Sequence, residues 1–405
     1  MALRNNTWKL NESYDQDVAG NADYVFPVEM WASGSNGFGF LGDSTSSNQQ
    51  RSSPIQVPGS WQAISTGMGI KQTVTTESTL WCWGYAANGQ NGDGRSGDDN
   101  YMSSPVQVPG TNWRRLVNSW QWRGALKNDG TLWMWGSNQH GRLGLNDTTQ
   151  RSSPTQVGTN NNWKYVSASD DVVMGIKTDG TLWGWGNNNL GELAQNNRTQ
   201  YSSPKQIPGT TWDTIHCWRY GGAATKTDGT AWTWGYNEYG QLMQNNRVHY
   251  SSPVQVPGTD WSSCFPNNNN DISAGNDTNQ SYVTFQKTNG SIWYAGSDNS
   301  GAMGLNCKDA DSRRSSPVEV GAGTAWAEFT RDFVHATTTR YGRNLVGVKS
   351  NGQMWACGSN SEGEMGLNNM SVANYSSPIQ IPGTWSTEKG QSGNTYYCLV
   401  MAKDP

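Results

Sequence analysis

Residues 173–186 read Val-Met-Gly-Ile-Lys-Thr-Asp-Gly-Thr-Leu-Trp-Gly-Trp-Gly, and variants of this stretch recur along the chain. The two apolar runs on either side of Asp179-Gly180 predict a β-hairpin. Asp-Gly favours the tight type I′ turn, in which both central residues take a positive φ. The corresponding dipeptides in other copies are Asp129-Gly130, Asp228-Gly229, Asn289-Gly290 and Asn351-Gly352.

The second strand of this hairpin ends in Trp-x-x-Gly, and seven copies have this pattern at the same place, beginning at Trp31, Trp81, Trp133, Trp183, Trp232, Trp293 and Trp355. The tripeptide Ser-Ser-Pro also occurs seven times, at intervals of 49 to 64 residues. A period of about 50 residues indicates stacked supersecondary units that cannot bury their apolar faces alone. Short strands, Gly turns and one aromatic signature per unit are typical of a β-propeller blade. A helical repeat would need apolar residues three and four apart, and these are missing.

Both ends of the chain favour a closed ring. The last residues, 399–405, match the first hairpin strand of a repeat and stop at its turn. The missing partner strand is found in residues 24–31, so the N-terminal strand would complete the last blade and leave no open sheet edge. We therefore predict an all-β, seven-bladed β-propeller over residues 24–405. Residues 1–23 would form an N-terminal docking arm that carries Trp8 and Tyr14.

Composition limits the classes of function. The 405 residues include 22 Trp, 15% charged residues and a net charge of −4. One buried Trp removes roughly 150–250 Å² from water, so indole rings can supply the core of a chain with few aliphatic residues. We find no basic face for nucleic acid, no apolar run for a membrane span and no secretory h-region. The six cysteines do not recur with the repeat, which favours free thiols and a reducing cytoplasm over a disulfide framework.

The sequence contains no evident catalytic or metal-binding motif. The four histidines lie at different phases of the repeat, which argues against a metal site. No paired carboxylates and no nucleophile–base order are evident, so we expect neither a cofactor nor an enzymatic activity.

One copy of the repeat carries a family resemblance. It contains Ala125-Leu-Lys127, the run 129–138 (Asp-Gly-Thr-Leu-Trp-Met-Trp-Gly-Ser-Asn), Gly141-Arg-Leu-Gly144 and 153–157 (Ser-Pro-Thr-Gln-Val). This pattern resembles the regulator-of-chromosome-condensation repeat, and the likeness extends over roughly residues 24–405. The resemblance implies a seven-bladed propeller. Members of that family perform nucleotide exchange on a small GTPase, nucleosome binding, β-lactamase inhibition and ultraviolet sensing, so the fold does not fix the function.

Residues outside the repeat framework mark the candidate site. Eighteen Trp residues occupy repeated positions, and Trp8, Trp120, Trp122 and Trp218 do not. The last three lie in the loop before the Asp-Gly hairpin, where later copies carry long insertions. Loops at one phase of a propeller emerge on one face, and Trp, Tyr and Arg are enriched in interface hot spots. The predicted partner-binding residues are Trp120, Trp122, Arg123, Trp218, Arg219, Tyr220, Phe333, His335, Arg340, Tyr341 and Arg343. The alternative for Trp120 and Trp218 is that each plugs the central channel.

We therefore expect a non-enzymatic propeller that binds a protein partner. The low charge, the Asn, Gly, Ser and Trp content and the aromatic arm resemble virion proteins of bacteriophages, so we predict a structural or adhesion component of a phage particle, located in the virion. One alternative is a carbohydrate-binding host-receptor protein, since aromatic rings stack on sugars. Another is a regulator or inhibitor of a host enzyme or GTPase.

Overall fold

The structure, a computed structural model, describes residues 28–34, 42–45, 51–67, 70–75, 78–97, 101–119, 121–264, 282–297, 313–320, 333–338, 344–349, 351–358, 375–383, 392–395 and 398–400. Within these ranges the chain consists of β-strands, their connections and one 3₁₀ turn at Gln139–Gly141, with no α-helix. The predicted all-β class is confirmed.

The strands form six antiparallel sheets and a hairpin. Sheet I contains Val28–Gly34 (β1), Arg51–Gly67 (β2), Ile70–Thr75 (β3), Leu80–Tyr85 (β4) and Tyr101–Val108 (β5). Sheet II contains Trp113–Asn118 (β6), Trp122–Lys127 (β7), Leu132–Gly136 (β8) and Arg151–Gln156 (β9). Sheet III contains Trp163–Ala168 (β10), Val172–Lys177 (β11), Leu182–Gly186 (β12) and Tyr201–Ile207 (β13). Sheet IV contains Trp212–Trp218 (β14), Gly221–Lys226 (β15), Ala231–Gly235 (β16) and Tyr250–Gln255 (β17).

The remaining strands follow the same order. Sheet V contains Trp261–Cys264 (β18), Tyr282–Lys287 (β19), Ile292–Gly296 (β20) and Arg314–Glu319 (β21). Sheet VI contains Phe333–Thr338 (β22), Asn344–Lys349 (β23), Met354–Gly358 (β24) and Tyr375–Ile381 (β25). Ser392–Thr395 (β26) and Cys398–Val400 (β27) form the hairpin. In every sheet, strands adjacent in sequence are paired, as the repeat predicts.

The Asp-Gly hairpin is present, but the type I′ turn was a wrong prediction. In sheet III the N–H of Lys177 donates to the carbonyl of Thr181 at 2.9 Å, and the N–H of Gly180 donates to the carbonyl of Lys177 at 3.0 Å. The loop therefore has three residues, of which only Gly180 takes a positive φ, 75°. This is a turn followed by a left-handed glycine, the usual geometry of three-residue hairpin loops.

Side-chain hydrogen bonds explain why the turn is followed by Thr-x-Trp. The Nε1 of Trp183 donates to the Thr181 hydroxyl at 2.9 Å, and that hydroxyl donates to Asp179 at 2.6 Å. The same relay joins Trp133, Thr131 and Asp129 in sheet II and Trp232, Thr230 and Asp228 in sheet IV, and Ser291 with Asn289 replaces Thr and Asp in sheet V.

In sheets I to V, the aliphatic face of one sheet packs against the indole face of the next. Between sheets II and III, Leu126, Leu132 and Met134 meet Trp163 and Trp185. The alternation along a strand produces this division, because Trp183 and Trp185 share one side of β12 while Leu182 lies on the other. The same pairing of faces joins sheets I with II, III with IV and IV with V.

Two hydrogen bonds recur between neighbouring sheets. The second Trp of the signature donates across the gap: Trp135 to the carbonyl of Gln90 at 2.9 Å, Trp185 to Arg142 at 3.0 Å and Trp234 to Glu192 at 2.8 Å. A loop N–H also donates to the first Ser-Ser-Pro serine of the next sheet, as from Asn146 to Ser202 at 2.7 Å. The Ser-Ser-Pro repeat therefore marks a contact between sheets as well as the start of a strand.

Contacts between neighbouring sheets lie mainly along one side, formed by β2, β3, β6, β10, β11, β14, β15 and β18. β6 contacts β2 and β10, β14 contacts β10 and β18, and β26 contacts both β22 and β2. The last strand of each sheet carries Ser-Ser-Pro, and in sheets II to VI it is at the edge opposite the first strand. Sheets arranged radially around a common inner row of strands form a β-propeller.

In sheets II to V, a Lys side chain lies between two indole rings. The Nζ of Lys177 is 3.9 Å from the ring centroid of Trp183 and 5.0 Å from that of Trp163. Lys127, Lys226 and Lys287 occupy the equivalent place in sheets II, IV and V. The Lys is on the second strand and the two Trp residues are on the first and third, so these cation–π contacts connect three strands of the sheet.

The cysteine prediction is confirmed where the structure describes these side chains. Cys82, Cys217, Cys264 and Cys357 are free and buried. Burial raises the pKa of Cys82, Cys217 and Cys264 to about 12, so these thiols stay protonated.

Candidate protein-binding site

Two sets of loops share one end of the propeller, which we call the loop face. In sheets II, III and IV it comprises the loops between the first and second strands and between the third and fourth strands. A backbone hydrogen bond joins the two loops in three sheets: Ser137 N–H to Gln121 O at 2.9 Å, Asn187 to Asp171 at 2.8 Å and Tyr236 to Tyr220 at 2.8 Å. The Asp-Gly turns lie at the other end of the strands.

Trp122 and Arg123 were predicted to be exposed on this face, and the structure buries both. They begin β7 and have no exposed surface. The Nε1 of Trp122 donates to the carbonyl of Asp170 in sheet III at 2.9 Å, and the guanidinium of Arg123 donates to the carbonyl of Trp122 at 2.8 Å. These residues pack the gap between sheets and present no surface to a partner.

Trp218 is also buried, with 2% of its surface exposed. Its ring lies over Gly221, where an added Cβ would be 2.7 Å from the indole. Gly221 pairs with Gly235 as Trp122 pairs with Gly136, so the two positions are equivalent. Gly221 thus stands in sheet IV where Trp122 stands in sheet II. Because Gly221 has no side chain, the indole of Trp218 can pack over it. It packs against sheet V, with Trp261 and Phe285.

Arg219 and Tyr220, by contrast, reach the surface. Arg219 is exposed and its guanidinium is 5.3 Å from the ring of Tyr220. Tyr220 is half-buried and contacts Tyr236, with ring centroids 5.7 Å apart. Tyr236 in turn contacts Tyr239 at 6.2 Å and stacks on His249 at 4.8 Å. The structure thus joins two predicted residues to three aromatic residues from the other loop of sheet IV.

Hydrogen bonds fix the chemistry of this cluster. The hydroxyl of Tyr236 donates to the carboxylate of Glu238. Partial burial and this bond raise the pKa of Tyr236 above its usual value, so the phenol stays neutral. The N–H of Asn237 donates to Nδ1 of His249 at 2.9 Å. Partial burial and the nearby Arg198 lower the pKa of His249, which keeps its ring in the neutral form that accepts this bond.

Apolar and basic groups surround the aromatic rings. Val248 is 58% exposed and is, with Tyr101, one of two exposed large hydrophobic residues in the described part of the chain. Arg313 of sheet V lies 4.9 Å from the ring of Tyr239, and Arg247 is exposed beside Val248. Sequence analysis missed Tyr236, Tyr239, Val248 and His249. They could have been found in the sequence, because neighbouring repeats have different residue types at the same positions.

Arg142 supports the loop face between sheets II and III. The side chain is 3% exposed and donates to Asp171 at 2.8 Å, to the carbonyl of Asp170 at 3.0 Å and to Gln121 at 2.8 Å. A buried guanidinium requires such a complete set of partners. Arg142 therefore positions both first loops and is not itself a contact residue.

For the other predicted residues, the structure does not show whether the side chain is exposed on the loop face. Phe333 and His335 lie in β22, in a strand rather than in the expected loop, and their side chains are not described. The rest lie outside the described residues: Trp8, Tyr14, Trp120, Arg340, Tyr341 and Arg343.

The described residues contain no group of three or more His, Cys, Asp or Glu side chains placed to hold a metal ion. In the same residues, no helix has the length and apolarity that crossing a bilayer requires.

Comparison with known proteins identifies the repeat. The family model of the regulator of chromosome condensation (RCC1) repeat matches residues 129–176, 179–217 and 228–277. Over these three segments the chain is similar to the RCC1 repeat. The matched segments begin at the hairpin turns of sheets II, III and IV, and each runs into the following sheet. Tyr236, Val248 and His249 lie within the third segment, whereas Arg219 and Tyr220 lie between the second and the third.

Relatives support the same assignment. The ultraviolet-B receptor UVR8 of Arabidopsis thaliana is 30% identical over 140 residues, which is 32% of this chain and 30% of the receptor. The match therefore spans about a third of that relative's length.

Solved structures show that the fold is that of RCC1-type propellers. Prp20p of Saccharomyces cerevisiae, described with its binding to Gsp1p and histones, has a TM-score of 0.68 at 17% identity, covering 89% of this chain and 87% of Prp20p. The same yeast protein bound to Kap60 gives 0.66 at 16% identity, with 90% and 87% covered. Human WBSCR16 gives 0.64 at 14% identity, with 88% and 95% covered.

Proposed function

We propose that this protein is a non-catalytic interaction propeller whose loop face binds a protein partner. The observation that carries the proposal is the cluster in sheet IV, where Tyr220, Tyr236 and His249 form a partly exposed aromatic surface beside Arg219. Tyr and Arg are the residue types that dominate interface hot spots. The binding of Gsp1p, histones and Kap60 by the yeast relative supports a protein as the partner.

Site-specific photo-crosslinking tests which end of the propeller is used. A photoreactive amino acid replaces exposed residues of the loop face, Asn189 or Arg247, in a lysate of the cells that make the protein. The matched controls are Thr178 and Thr227, exposed residues at the hairpin turns of the same two sheets. We expect protein adducts from the loop face only. Equal adducts from both ends, or none from the loop face, would refute the proposal.

We also propose that the ring has seven blades, closed by the N-terminal strand. The contacts of β26 with β22 and β2 support this, because they place the C-terminal hairpin between the last sheet and the first. β1 pairs with β2, with Trp31 opposite Gln56, in the arrangement of third and fourth strands of a blade. Deleting residues 24–34 should lower the melting temperature of the whole domain, and unchanged melting would contradict closure.

We keep the bacteriophage virion as the proposed location, on the grounds of composition and of the aromatic residues in the arm 1–23. Mass spectrometry of purified particles tests it, and a variant lacking residues 1–23 should be lost from them. Absence of the full chain from the particles would refute this location while leaving the loop-face proposal intact.

Two other functions remain as alternatives. A carbohydrate receptor is favoured by the partly exposed stack of Tyr236 and His249, since such rings can stack on sugars. A glycan array comparing wild type with Tyr236→Ala tests it, because Trp218 is buried. A regulator of a host enzyme or GTPase is in keeping with the yeast relative, and affinity capture with identification of the bound enzyme would distinguish it.

A further inference from the structure

We propose that the loop face of sheet IV is a docking site for an acidic peptide segment of the partner. The site, which we call the sheet IV patch, consists of Arg219, Tyr220, Tyr236, Glu238, Val248 and His249. The inference rests on the proposed function and specifies which surface is used and which chemistry it recognises.

The patch is not required by the repeat. At the position of Tyr236 sheets II and III have Ser137 and Asn187, since all three donate the equivalent backbone bond. The same alignment places Thr199 and Gln200 of sheet III at the positions of Val248 and His249. Sheets II and III fold without aromatic or apolar side chains there. The aromatic and apolar side chains of sheet IV are therefore available for binding.

The charge of the surroundings selects the partner. Arg219 and Arg247 are exposed, Arg198 is close enough to His249 to lower its pKa, and Arg313 lies over Tyr239. The carboxylate of the patch, Glu238, accepts the hydroxyl of Tyr236. Four guanidinium groups outnumber the two carboxylates near them, Glu238 and the buried Glu192 close to Arg198, and make a basic region on a protein with a net charge of −4. An acidic segment is attracted to such a region, and a basic one is repelled.

The hydrogen-bonding groups fit carboxylates. An arginine fork donates two parallel bonds to one carboxylate. Because Nδ1 of His249 accepts from Asn237, the proton of the neutral ring is on Nε2, which makes the exposed side chain a donor. Val248 and the faces of Tyr220 and Tyr236 supply the apolar contact that holds the peptide backbone in place.

Fluorescence anisotropy with synthetic peptides tests the inference on the full chain. The probe is a short fluorescein-labelled peptide of alternating Glu and Tyr. The comparison probes are a Lys-Tyr peptide and a single-stranded oligonucleotide of similar length. The variant R219D/Y220D introduces the residues that sheet III has at these positions, Asp170 and Asp171. The matched control R95D/Y101D changes an exposed Arg and an exposed Tyr in sheet I.

We expect the Glu-Tyr peptide to bind wild type and the control alike, and R219D/Y220D about tenfold or more weakly. Urea midpoints check the folding of each variant. If R219D/Y220D fails to fold, Y236N/H249Q, which also introduces sheet III residues, decides by the same criterion. The inference is overturned if the Glu-Tyr peptide does not bind, if the Lys-Tyr peptide or the oligonucleotide binds as tightly, or if both variants weaken binding equally. Crosslinks from Asn189 and Arg247 that persist in that case would leave the proposed function standing.

Discussion

Replacing Trp185 by Phe should destabilise the propeller much more than the same change at Trp183. The two rings lie two residues apart on the same side of β12. Trp185 is fully buried between sheets, its Nε1 donates to Arg142 O at 3.0 Å, and its ring is 5.8 Å from Trp163. Trp183 is half-buried, and its Nε1 donates to the hydroxyl of Thr181 near the surface.

The structure sets the size of the difference. Trp185→Phe leaves the buried carbonyl of Arg142 without this donor, at a cost of about 1–3 kcal/mol. The smaller ring leaves a space on the order of 40 Å³, worth about 1 kcal/mol at roughly 24 cal/mol per Å³. The expected loss is about 2–4 kcal/mol. For Trp183→Phe water can replace the lost donor and a ring remains beside Lys177, so we expect less than about 1 kcal/mol.

Equilibrium unfolding in urea, followed by circular dichroism, gives both values if the slope of the transition is unchanged. Trp135 and Trp234 make the same contact in sheets II and IV, so their Phe variants should behave like Trp185→Phe. A Trp185→Phe variant no less stable than Trp183→Phe would refute the idea that the bond between sheets stabilises the ring.

Four further predictions concern charge and pH. Lys177→Met should reduce the free energy of unfolding by about 1 kcal/mol, because Nζ lies near two indole rings, whereas Lys205→Met, 5.8 Å from the ring of Tyr201 alone, should have almost no effect in the same urea assay. Hydrogen bonds from Thr131, Thr181 and Thr230 lower the pKa of Asp129, Asp179 and Asp228, so this stabilisation is present above the ordinary pKa and is lost as pH falls below it. The triple Asp→Asn variant should therefore lose less stability than wild type between pH 7 and pH 3, and an equal loss would contradict this. With the pKa of Cys82, Cys217 and Cys264 raised to about 12, native protein should leave these thiols unreacted with Ellman's reagent at about pH 8, and unfolded protein should expose them. Stability should also fall as pH rises from about 9 towards 12, because the unfolded chain loses thiol protons that the folded chain retains.

The sequence alone determined the all-β class, the hairpins and the order of strands in each sheet. Period-two alternation and the Asp-Gly corner act within a few residues, so Leu182, Trp183 and Trp185 predict their two faces without knowledge of the neighbouring sheets. The Ser-Ser-Pro and Trp-x-x-Gly repeats likewise predicted that similar units are stacked.

Only the tertiary structure decided which non-repeated residues reach the surface. Trp122 and Trp218 stand, like Arg219 and Tyr220, in the loop region before the hairpin and outside the repeated positions. The rings of Trp122 and Trp218 are nevertheless buried between sheets, because burial depends on the neighbouring sheet and not on the loop sequence. Tyr220, Tyr236 and His249 are separated by 16 and 13 residues along the chain and meet because two loops of one sheet share an end of the propeller. Local pattern fixes strand and turn, but contacts between loops depend on how the sheets assemble.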